Sequence, residues 1–301
     1  MYMAEYVLSC CSTADLSEEH FKDRDIKCIY FHFMLGDTWY LDDLGKTVNY
    51  ADFYKRMAEG EMTKTSQINA EEYKEFFEAF LEDGKDVIHL SLSSGISGTV
   101  NSARIAKEEL EEKYPDRKIY VVDSLAASSG YGLLMDKLAD LRDEGYTIEE
   151  LNEWALEHRL ELNHWFFSTD LQYYVRGGRI SKAAGFLGGM LNICPLLNVD
   201  EEGKLIPRKK CRGEKKASAE IVEKMKTYAK DGLDYADKCY ISNSAFPDCA
   251  EKVAKDIENI FPRLKGKVEI DNIGTTIGAH TGPGTVALFF WGRDRREIEY
   301  N

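Results

Sequence analysis

Three short polar motifs, far apart in the sequence, carry side chains that could hold a small anion. They are Thr65-Ser66-Gln67, the run 93–99 and the run 278–284. Each joins hydroxyl residues to a turn or a helix start, and the last adds a histidine, His280. Hydroxyl groups are neutral donors that rotate to suit a ligand, and no evident nucleophile–base pair accompanies them. The set therefore favours holding a carboxylate over cleaving a bond.

The run 93–99, Ser-Ser-Gly-Ile-Ser-Gly-Thr, is predicted to connect a buried strand to a helix. Ligands of open α/β sheets bind at the carboxyl ends of the strands, where a helix start directs free N–H groups at an anion. The hydroxyls of Ser94 and Ser97 add donors, and Gly98 lets the backbone come close to a ligand. A Ser/Gly turn that only caps its own helix is an equally good explanation. The run has neither the lysine of a P-loop nor the spacing of a nucleophile elbow.

Thr65 and Ser66 precede a predicted helix that opens with a capping box between Asn69 and Glu72. A local capping role is the simple interpretation of the two hydroxyls. They are also predicted to lie at the same rim of the same sheet as the 93–99 run. That placement would join the two motifs in one site.

His280 and Thr281 lie in a run with three glycines and a proline, just before a very apolar strand. The backbone there is predicted to be flexible and able to approach a ligand closely. A histidine near neutrality can donate to a carboxylate and respond to pH, although a lone histidine is more often structural. No second His or Cys lies at a ligand spacing, so a zinc site is not predicted.

The basic turn 176–182 precedes an apolar helix predicted over residues 181–191. Small residues on this helix leave room for a slender ligand, although an apolar face is more often plain core. The turn itself fits either phosphate binding or the docking of an acidic partner. A second basic cluster, around Arg212, is most simply a solvated surface. The apolar face consists of Phe186, Leu187, Met190 and Leu191.

The elements that must position these motifs change character along the chain. In the first half, short apolar strands alternate with helices, which indicates a parallel sheet covered by helices, an α/β/α domain. In the second half, six strands indicate an α+β domain with a mostly antiparallel or mixed sheet. A helix with a capping box at Thr147 and Glu150 marks the change, so we predict domains at 1–160 and 161–301. The second-half strands are predicted at 164–168, 193–199, 205–211, 238–242, 268–270 and 285–291.

Length, charge and cysteine usage narrow the class of protein. At 301 residues the chain can bury a sizeable core. A formal net charge of -14 argues against a nucleic-acid partner, because such binding depends on Lys and Arg contacts to phosphates. The seven cysteines show no C-x-x-C spacing, which is typical of reduced cytosolic thiols. With no signal-peptide pattern and no apolar run long enough to span a membrane, a cytoplasmic protein is expected.

Taken together, the motifs resemble the DegV family of bacterial lipid-binding proteins. The resemblance rests on TSQ at 65–67, SSGISGT at 93–99, RGGRISKAA at 176–184, NICPLLNVD at 192–200 and GAHTGPG at 278–284. It covers nearly the whole chain. It implies an α/β/α domain followed by an α/β domain with a six-stranded sheet.

The resemblance also implies a ligand, a long-chain fatty acid that lies between the two domains. Motif matching assigns its carboxylate to Thr65, Ser97 and His280. The buried tail is predicted to lie along the apolar face of the 181–191 helix. The wider set of candidate head-group residues adds Ser66, Ser94, Gly98 and Thr281.

Members of the family can serve as the fatty-acid-binding, non-catalytic subunit of a bacterial fatty acid kinase. Arg179 and Arg212 match the positions that dock the kinase subunit. The resemblance implies no cofactor and no metal. Transient contact with a membrane is compatible with such a cargo.

Two departures from the family pattern stand near the motifs. Many relatives carry an Asp where this chain has Cys11 and a Pro where it has Ile68. Neither position is one of the three assigned carboxylate donors.

Two other functions stay open on the residues alone. One is a serine-type esterase or hydrolase that uses Ser97 with His280 and an acid such as Asp123. The other is a carrier of a different hydrophobic acid, or a regulatory sensor built on the same site.

Overall fold

The computed structural model describes residues 6–181 and 193–300. The helix predicted over 181–191 therefore lies outside the described residues, except for its first position. The same holds for the predicted tail-lining residues Phe186, Leu187, Met190 and Leu191. The described strands form three sheets, of four, six and three strands.

The described residues form thirteen strands and ten α-helices. The strands are β1 (Tyr6–Cys11), β2 (Ile26–Ile29), β3 (His32–Leu35), β4 (Thr38–Leu41), β5 (Thr63–Ser66), β6 (Asp86–Ser91), β7 (Ile119–Asp123), β8 (Leu162–Ser168), β9 (Ile193–Val199), β10 (Leu205–Arg212), β11 (Cys239–Asn243), β12 (Val268–Asn272) and β13 (Thr285–Trp291). The α-helices are α1 (Glu18–Asp23), α2 (Tyr50–Ala58), α3 (Ala70–Glu82), α4 (Thr99–Lys113), α5 (Ser129–Asp143), α6 (Ile148–His158), α7 (Gln172–Arg176), α8 (Gly213–Tyr228), α9 (Pro247–Ile260) and α10 (Thr275–Thr281).

The four-stranded sheet is parallel throughout, in the order β2-β1-β6-β7. β1 and β6 are nearly continuous runs of buried residues, as expected for parallel strands covered by helices. Helices α3 to α6 pack against this sheet. The predicted α/β domain is confirmed.

Both predicted capping boxes are present. At the start of α3, the Glu72 N–H donates to the Asn69 side chain at 3.0 Å, and the Asn69 N–H donates to the Glu72 carboxylate at 2.8 Å. The same reciprocal pair links Thr147 and Glu150 at the start of α6. The predicted domain boundary falls in the short connection between α6 and β8, and it stays a prediction.

The six-stranded sheet has the order β10-β9-β8-β13-β11-β12, with β11 and β12 parallel and the other neighbours antiparallel. Its mixed character is as predicted. In β8, Trp165 stacks on Tyr228 of α8, so the alternate residues His164 and Phe166 face the opposite side. On that side α5 packs against β8, β11 and β13. α5 therefore lies between the two large sheets.

A buried ion network fastens α5 to the six-stranded sheet. Asp136 of α5 is 1% exposed, accepts a hydrogen bond from Tyr240 Oη at 3.0 Å and pairs with Lys238. Its other carboxylate oxygen forms an ion pair with Arg24 at 3.0 Å and lies 3.2 Å from His20 Nε2. The contacts fix the second-half sheet against the first-half helices.

The third sheet, of short antiparallel strands in the order β4-β3-β5, was not predicted. Its β5 is polar, and only Thr63 of that strand is buried, so it gives little hydrophobic signal. A second, smaller core joins Phe33 of β3 and Phe53 of α2 to Ala279 of α10. Because Thr65 and Ser66 lie on β5, their predicted place at the rim of the parallel sheet is wrong.

Candidate ligand-binding cavity

A cavity of about 570 Å³ lies between the six-stranded sheet and the segments that follow β5 and β6. Its volume is in the range of sites that bury most of a small ligand. Each of the three polar motifs contributes to its lining, through Thr65, Ser97 and His280 among others. The structure therefore brings together motifs that are far apart in the sequence.

Most of the surface of the cavity wall is apolar. β8 contributes Phe166, and β13 contributes Ala287 and Phe289, which share one face because alternate residues of a strand do. Further apolar lining comes from Phe31, Leu92, Ile96, Val199, Leu205 and Ile277. Burying a hydrocarbon chain against such a wall is favourable because it removes apolar surface from water.

The polar lining residues are linked by direct contacts. Thr65 Oγ1 lies 2.7 Å from His280 Nε2. A Cβ added to Gly98 would lie 2.7 Å from Gln67 Oε1, so the loop that carries Ser97 closes on the Thr65-Ser66-Gln67 motif. The two motifs thus meet in one site although they belong to different sheets.

His280 lies in the last turn of α10, so the flexible backbone predicted for residues 278–281 is wrong. Gly278 is part of the helix, and a Cβ there would lie 2.4 Å from Tyr54 Oη. The glycine therefore permits close packing of α10 on α2. Thr63 Oγ1 also donates to the Ala279 carbonyl at 3.2 Å, which ties the helix to β5.

Two buried carboxylates hold the other end of α10. The Gly274 N–H donates to Asp15 Oδ1 at 3.0 Å, and Thr275 Oγ1 donates to Asp42 Oδ1 at 2.8 Å. Asp15 and Asp42 are 4% and 1% exposed, and burial raises the pKa of both carboxyls. Both come from first-half loops, so the helix that carries His280 is positioned from the first half of the chain.

His280 is a neutral imidazole under ordinary conditions. Burial, followed by the nearby charges of Arg179 and Arg176, lowers its pKa to about 3. Its Nδ1 is buried and has no hydrogen-bond partner among the described residues. A Cβ added to Gly177 would lie 2.2 Å from Nδ1, so only glycine at 177 accommodates the ring in this position.

The remaining predicted head-group residues divide into two groups. Ser66, Gly98 and Thr281 line the cavity together with Ser97, whose Oγ accepts from the Thr99 N–H at 3.3 Å. Ser94 does not belong to the lining: it is exposed, and its N–H donates to Asp123 Oδ1 at 3.1 Å. The structure therefore does not bring Ser94 into the candidate site.

The two predicted docking arginines lie in different places. Arg179 lines the cavity, where its Nε donates to the Ile96 carbonyl at 3.1 Å and its guanidinium also donates to the Gly177 carbonyl at 2.7 Å. Burial lowers its pKa. Arg212 is exposed at the end of β10 and is not part of the lining.

The geometry gives the hydrolase alternative little support. A catalytic histidine must accept a proton from the serine and be oriented by an acid. His280 Nε2 is engaged by Thr65, its Nδ1 lies against Gly177, and its charged neighbours are arginines. Within residues 6–181 and 193–300, no hydrogen bond joins Ser97 to His280.

The described part of the chain was also searched for a metal site and for a membrane-spanning helix, and it contains neither. Among these residues, no group of His, Cys, Asp or Glu side chains could hold a metal ion. None of their helices has the length and apolar character needed to cross a membrane.

A scan against family models decides the relationship of this chain. The model described as "Uncharacterised protein, DegV family" matches residues 11–293. The chain belongs to the DegV family.

Its relatives in this family match along almost their whole length. A DegV domain-containing protein of Clostridium perfringens is 36% identical, with 96% of this chain and 98% of the relative covered. A protein of Thermotoga maritima named fatty acid-binding protein is 34% identical, with 92% and 94% covered. The solved structure of a DegV family protein from Thermus thermophilus, described for its fatty acid binding, superposes with a TM-score of 0.83 at 27% identity, covering 96% of this chain and 99% of that one.

Cys11 and Ile68, the two positions predicted to depart from the DegV pattern, are buried and are not among the residues that line the cavity. Cys11 Sγ is 3.2 Å from Tyr73 Oη and 3.6 Å from His89 Nε2, and burial raises its pKa to about 12. Ile68 is fully buried. The cysteine is therefore a neutral core thiol rather than a reactive group at the rim.

Proposed function

We propose that this DegV protein binds a long-chain fatty acid between its two domains and presents the carboxylate to a separate kinase subunit. A single observation carries the proposal: the cavity joins an apolar wall to a group of neutral hydrogen-bond donors. The Thermotoga maritima relative is named as a fatty acid-binding protein and the Thermus thermophilus structure is described for fatty acid binding, which supports the same ligand class.

The tail supplies most of the affinity in this arrangement. Each buried CH₂ group stabilises the complex by about 0.8 kcal/mol. A long acyl chain therefore binds tightly without any strong polar contact. The polar end has only to replace the hydration that the carboxylate loses on entry, because an unpaired buried charge is very unfavourable.

At the polar end, Thr65 and Ser97 are proposed to donate to the carboxylate, and His280 to orient Thr65. Within residues 6–181 and 193–300, His280 Nδ1 has no acceptor, so the hydrogen of the neutral ring is proposed to lie on Nε2 and point at Thr65 Oγ1. The Thr65 hydroxyl then has its own hydrogen free for the ligand. Ser66, Gly98 and Thr281 complete the surroundings of the head group.

Arg176 and Arg179 add a positive potential to this end of the cavity. Their charges contribute to the lowered pKa of His280, so the potential reaches the position proposed for the carboxylate. The same potential that disfavours a protonated histidine favours an anion.

Presentation to a kinase requires a head group close to the surface. Ser66 and Gly98 are exposed where they border the cavity, which supports access to the carboxylate from outside. Arg179 at this border and the exposed Arg212 are the proposed docking residues. A solved Streptococcus pneumoniae protein named Fatty Acid Kinase B3, loaded with linoleic acid, shares the fold with a TM-score of 0.82 at 23% identity.

The first experiment is mass spectrometry under denaturing conditions on solvent extracts of the purified protein. A fatty acid recovered at one equivalent per chain supports the carrier function and identifies the preferred tail. A lipid-free protein that also fails to bind added oleate would remove the proposed ligand and leave the fold unaffected.

A second experiment separates carriage from presentation. Oleate-loaded protein is mixed with ATP and the kinase subunit of a related bacterium, and acyl phosphate is trapped with hydroxylamine. We expect turnover in the wild type and its loss in Arg212→Ala, with lipid retention preserved because Arg212 lies outside the cavity lining. If the wild type retains the fatty acid but yields no acyl phosphate, the protein is a carrier and the proposed role with a kinase subunit is contradicted.

A further inference from the structure

The three-stranded sheet carries large apolar side chains that are about half exposed. Trp39 and Leu41 of β4 are 52% and 48% exposed, and Met62, just before β5, is 49% exposed. Single exposed apolar residues are ordinary on a protein surface, whereas a group of them marks an interaction surface. The other exposed large apolar residues of the described chain are spread over different elements and turns: Ile105, Tyr146, Leu156, Leu233 and Ile270.

The strand register places the exposed residues of this sheet on one face. Phe33 of β3 is 1% exposed and belongs to the small core beneath the sheet, so its sequence neighbours His32 and Met34 point outward. Across the strands, Met34 lies opposite Trp39 of β4 and opposite Lys64 of β5. The outer face of the sheet therefore consists of His32, Met34, Trp39, Leu41, Lys64 and Ser66.

This outer face adjoins the mouth of the cavity. Lys64 and Ser66 are exposed and belong both to the outer face and to the cavity lining. Arg176 is also exposed and lines the cavity, and its guanidinium donates to Met62 Sδ at 3.6 Å. The apolar side chains and the entrance of the cavity thus share one border.

The free charges on this border are positive, although the whole chain has a net charge of -14. Within residues 6–181 and 193–300, neither Lys64 nor Arg176 has a carboxylate partner. Two carboxylates of the flanking segments, Glu61 and Glu72, each lie within 3.0 Å of a basic side chain. One further acid, Asp37, lies in the turn between β3 and β4. The border therefore combines unpaired cations with exposed apolar side chains.

An anionic lipid bilayer is the partner that matches this combination. Trp and Leu side chains bury at the boundary between headgroups and acyl chains, while Lys and Arg are attracted to anionic headgroups. The proposed cargo indicates the same partner. A long acyl chain is held in a bilayer by the same hydrophobic effect that holds it in the cavity, and it is exposed to water if it travels between them in solution. Contact between the mouth and the bilayer removes that step.

We propose, on the basis of the proposed fatty-acid cargo, that the outer face of the three-stranded sheet docks on an anionic bilayer and sets the cavity mouth against the lipid. Trp39 and Leu41 enter the interface, and Lys64 and Arg176 contact the headgroups. The negative charge of the rest of the chain disfavours other faces, so the basic border also sets the orientation. Docking is reversible, because the few apolar side chains involved bury little area.

Trp39 is a natural reporter of this contact. The other tryptophans are buried or half-buried: Trp154, Trp165 and Trp291. Oleate-loaded protein is mixed with vesicles of phosphatidylcholine and phosphatidylglycerol that carry bromine on their acyl chains. We expect the bromine to quench part of the tryptophan fluorescence, and we expect no quenching in Trp39→Phe.

The double variant Trp39→Ser/Leu41→Ser tests the docking face itself. In vesicle sedimentation its partition coefficient should fall roughly ten- to thirtyfold, whereas its affinity for oleate should not change, because neither residue lines the cavity. The matched control is Leu156→Ser/Leu233→Ser, which removes side chains of similar exposure, 47% and 54%, on other elements and should bind vesicles as the wild type does. Lys64→Gln should lower the partition coefficient about fivefold on vesicles with phosphatidylglycerol and leave it unchanged on pure phosphatidylcholine.

Four results would overturn the inference. A wild type that binds oleate but not the vesicles contradicts the docking face and leaves the proposed function intact. Equal vesicle binding by Trp39→Ser/Leu41→Ser and the wild type assigns docking to another surface. If the double variant keeps vesicle binding but loses acyl phosphate formation with the kinase subunit, the face is a protein interface. A wild type that binds vesicles but no fatty acid removes the proposed function, and the inference with it.

Discussion

His280 and His164 line the same cavity and are both kept neutral by burial, yet they differ in what they offer a ligand. His280, at the end of a short helix, contacts the Thr65 hydroxyl and leaves Nδ1 against a glycine. His164, in a central strand, is bonded to the carbonyl of its own strand and leaves Nε2 unpaired. In the proposed arrangement His280 orients a donor, whereas the Nε2 of His164 packs on Gly130 of α5. The backbone around each ring, more than the residue type, decides its role.

Removing the partner of His280 should give the largest effect. Thr65→Val keeps the shape of the side chain but deprives both the carboxylate and His280 Nε2 of the hydroxyl. Hydrogen bonds to charged groups are strong, so we expect oleate affinity to fall roughly 10- to 100-fold by calorimetry.

Ser94→Ala is the matched control for this measurement, because Ser94 is exposed and outside the cavity lining. The Ser94→Ala variant should bind oleate as tightly as the wild type does. Equal losses in the two variants would contradict the assignment of Thr65 to the head group.

Displacing the His280 ring should have the next largest effect. In Gly177→Ala the new methyl group would lie 2.2 Å from Nδ1, so the ring must move away from Thr65. We expect oleate affinity to fall by about tenfold, consistent with one misplaced hydrogen bond. In the His280→Ala background the same substitution should add nothing, and a full additional loss there would break the proposed link between the two residues.

The neutrality of His280 can be measured through stability. In the unfolded chain a histidine takes up its proton near pH 6.5, whereas folding lowers the pKa of His280 to about 3. The unfolded state therefore binds more protons between these values, and this histidine lowers the free energy of unfolding as the pH falls, by up to about 2 kcal/mol at pH 5. Urea unfolding of His280→Gln at pH 7 and pH 5 should show a smaller decrease than the wild type. Identical decreases would mean that the ring is protonated in the folded protein.

We expect the smallest effect on ligand binding from a substitution of Asp42, which contacts the first turn of α10. Asp42→Asn weakens the hold on the first turn of the helix, where a carboxylate is favoured by the free N–H groups. Loss of a helix cap lowers the free energy of unfolding by about 1 kcal/mol. The variant should also bind oleate only a few-fold less tightly, which calorimetry resolves. A loss as large as that of Thr65→Val would show that Asp42 acts on the ligand directly.

The sequence predicted best where one physical pattern dominates. β9 and β13 were predicted with their observed bounds, because each is an apolar run between turn residues. The capping boxes at Asn69 and Thr147 were equally clear, since both partners lie within four residues of each other. The fold class and the DegV relationship followed from such local signals.

The elements that the sequence did not predict depend on contacts with residues that are far away in the sequence. β5 is polar and is a strand because it pairs with β3. α10 contains Gly278, which suggests a loop until the position of Tyr54 is known. Ser94 and Ser97 share a loop, and only the folded turn shows that one faces solvent and the other the cavity. The apolar cavity wall had no sequence signal of its own, since Phe166 and Phe289 look like ordinary core residues.

The attachment of α10 also has a consequence for the order in which the molecule can be built. The helix meets Asp15 across 259 residues, and His280 meets Thr65 across 215 residues. Contacts of such long sequence separation form late, because the loop they close must be ordered first. During synthesis the first-half loops and β5 emerge long before α10. Until α10 is made, they lack the helix that completes the site. The protein should therefore gain its capacity for cargo only in the last step of folding, when nearly the whole chain is in place.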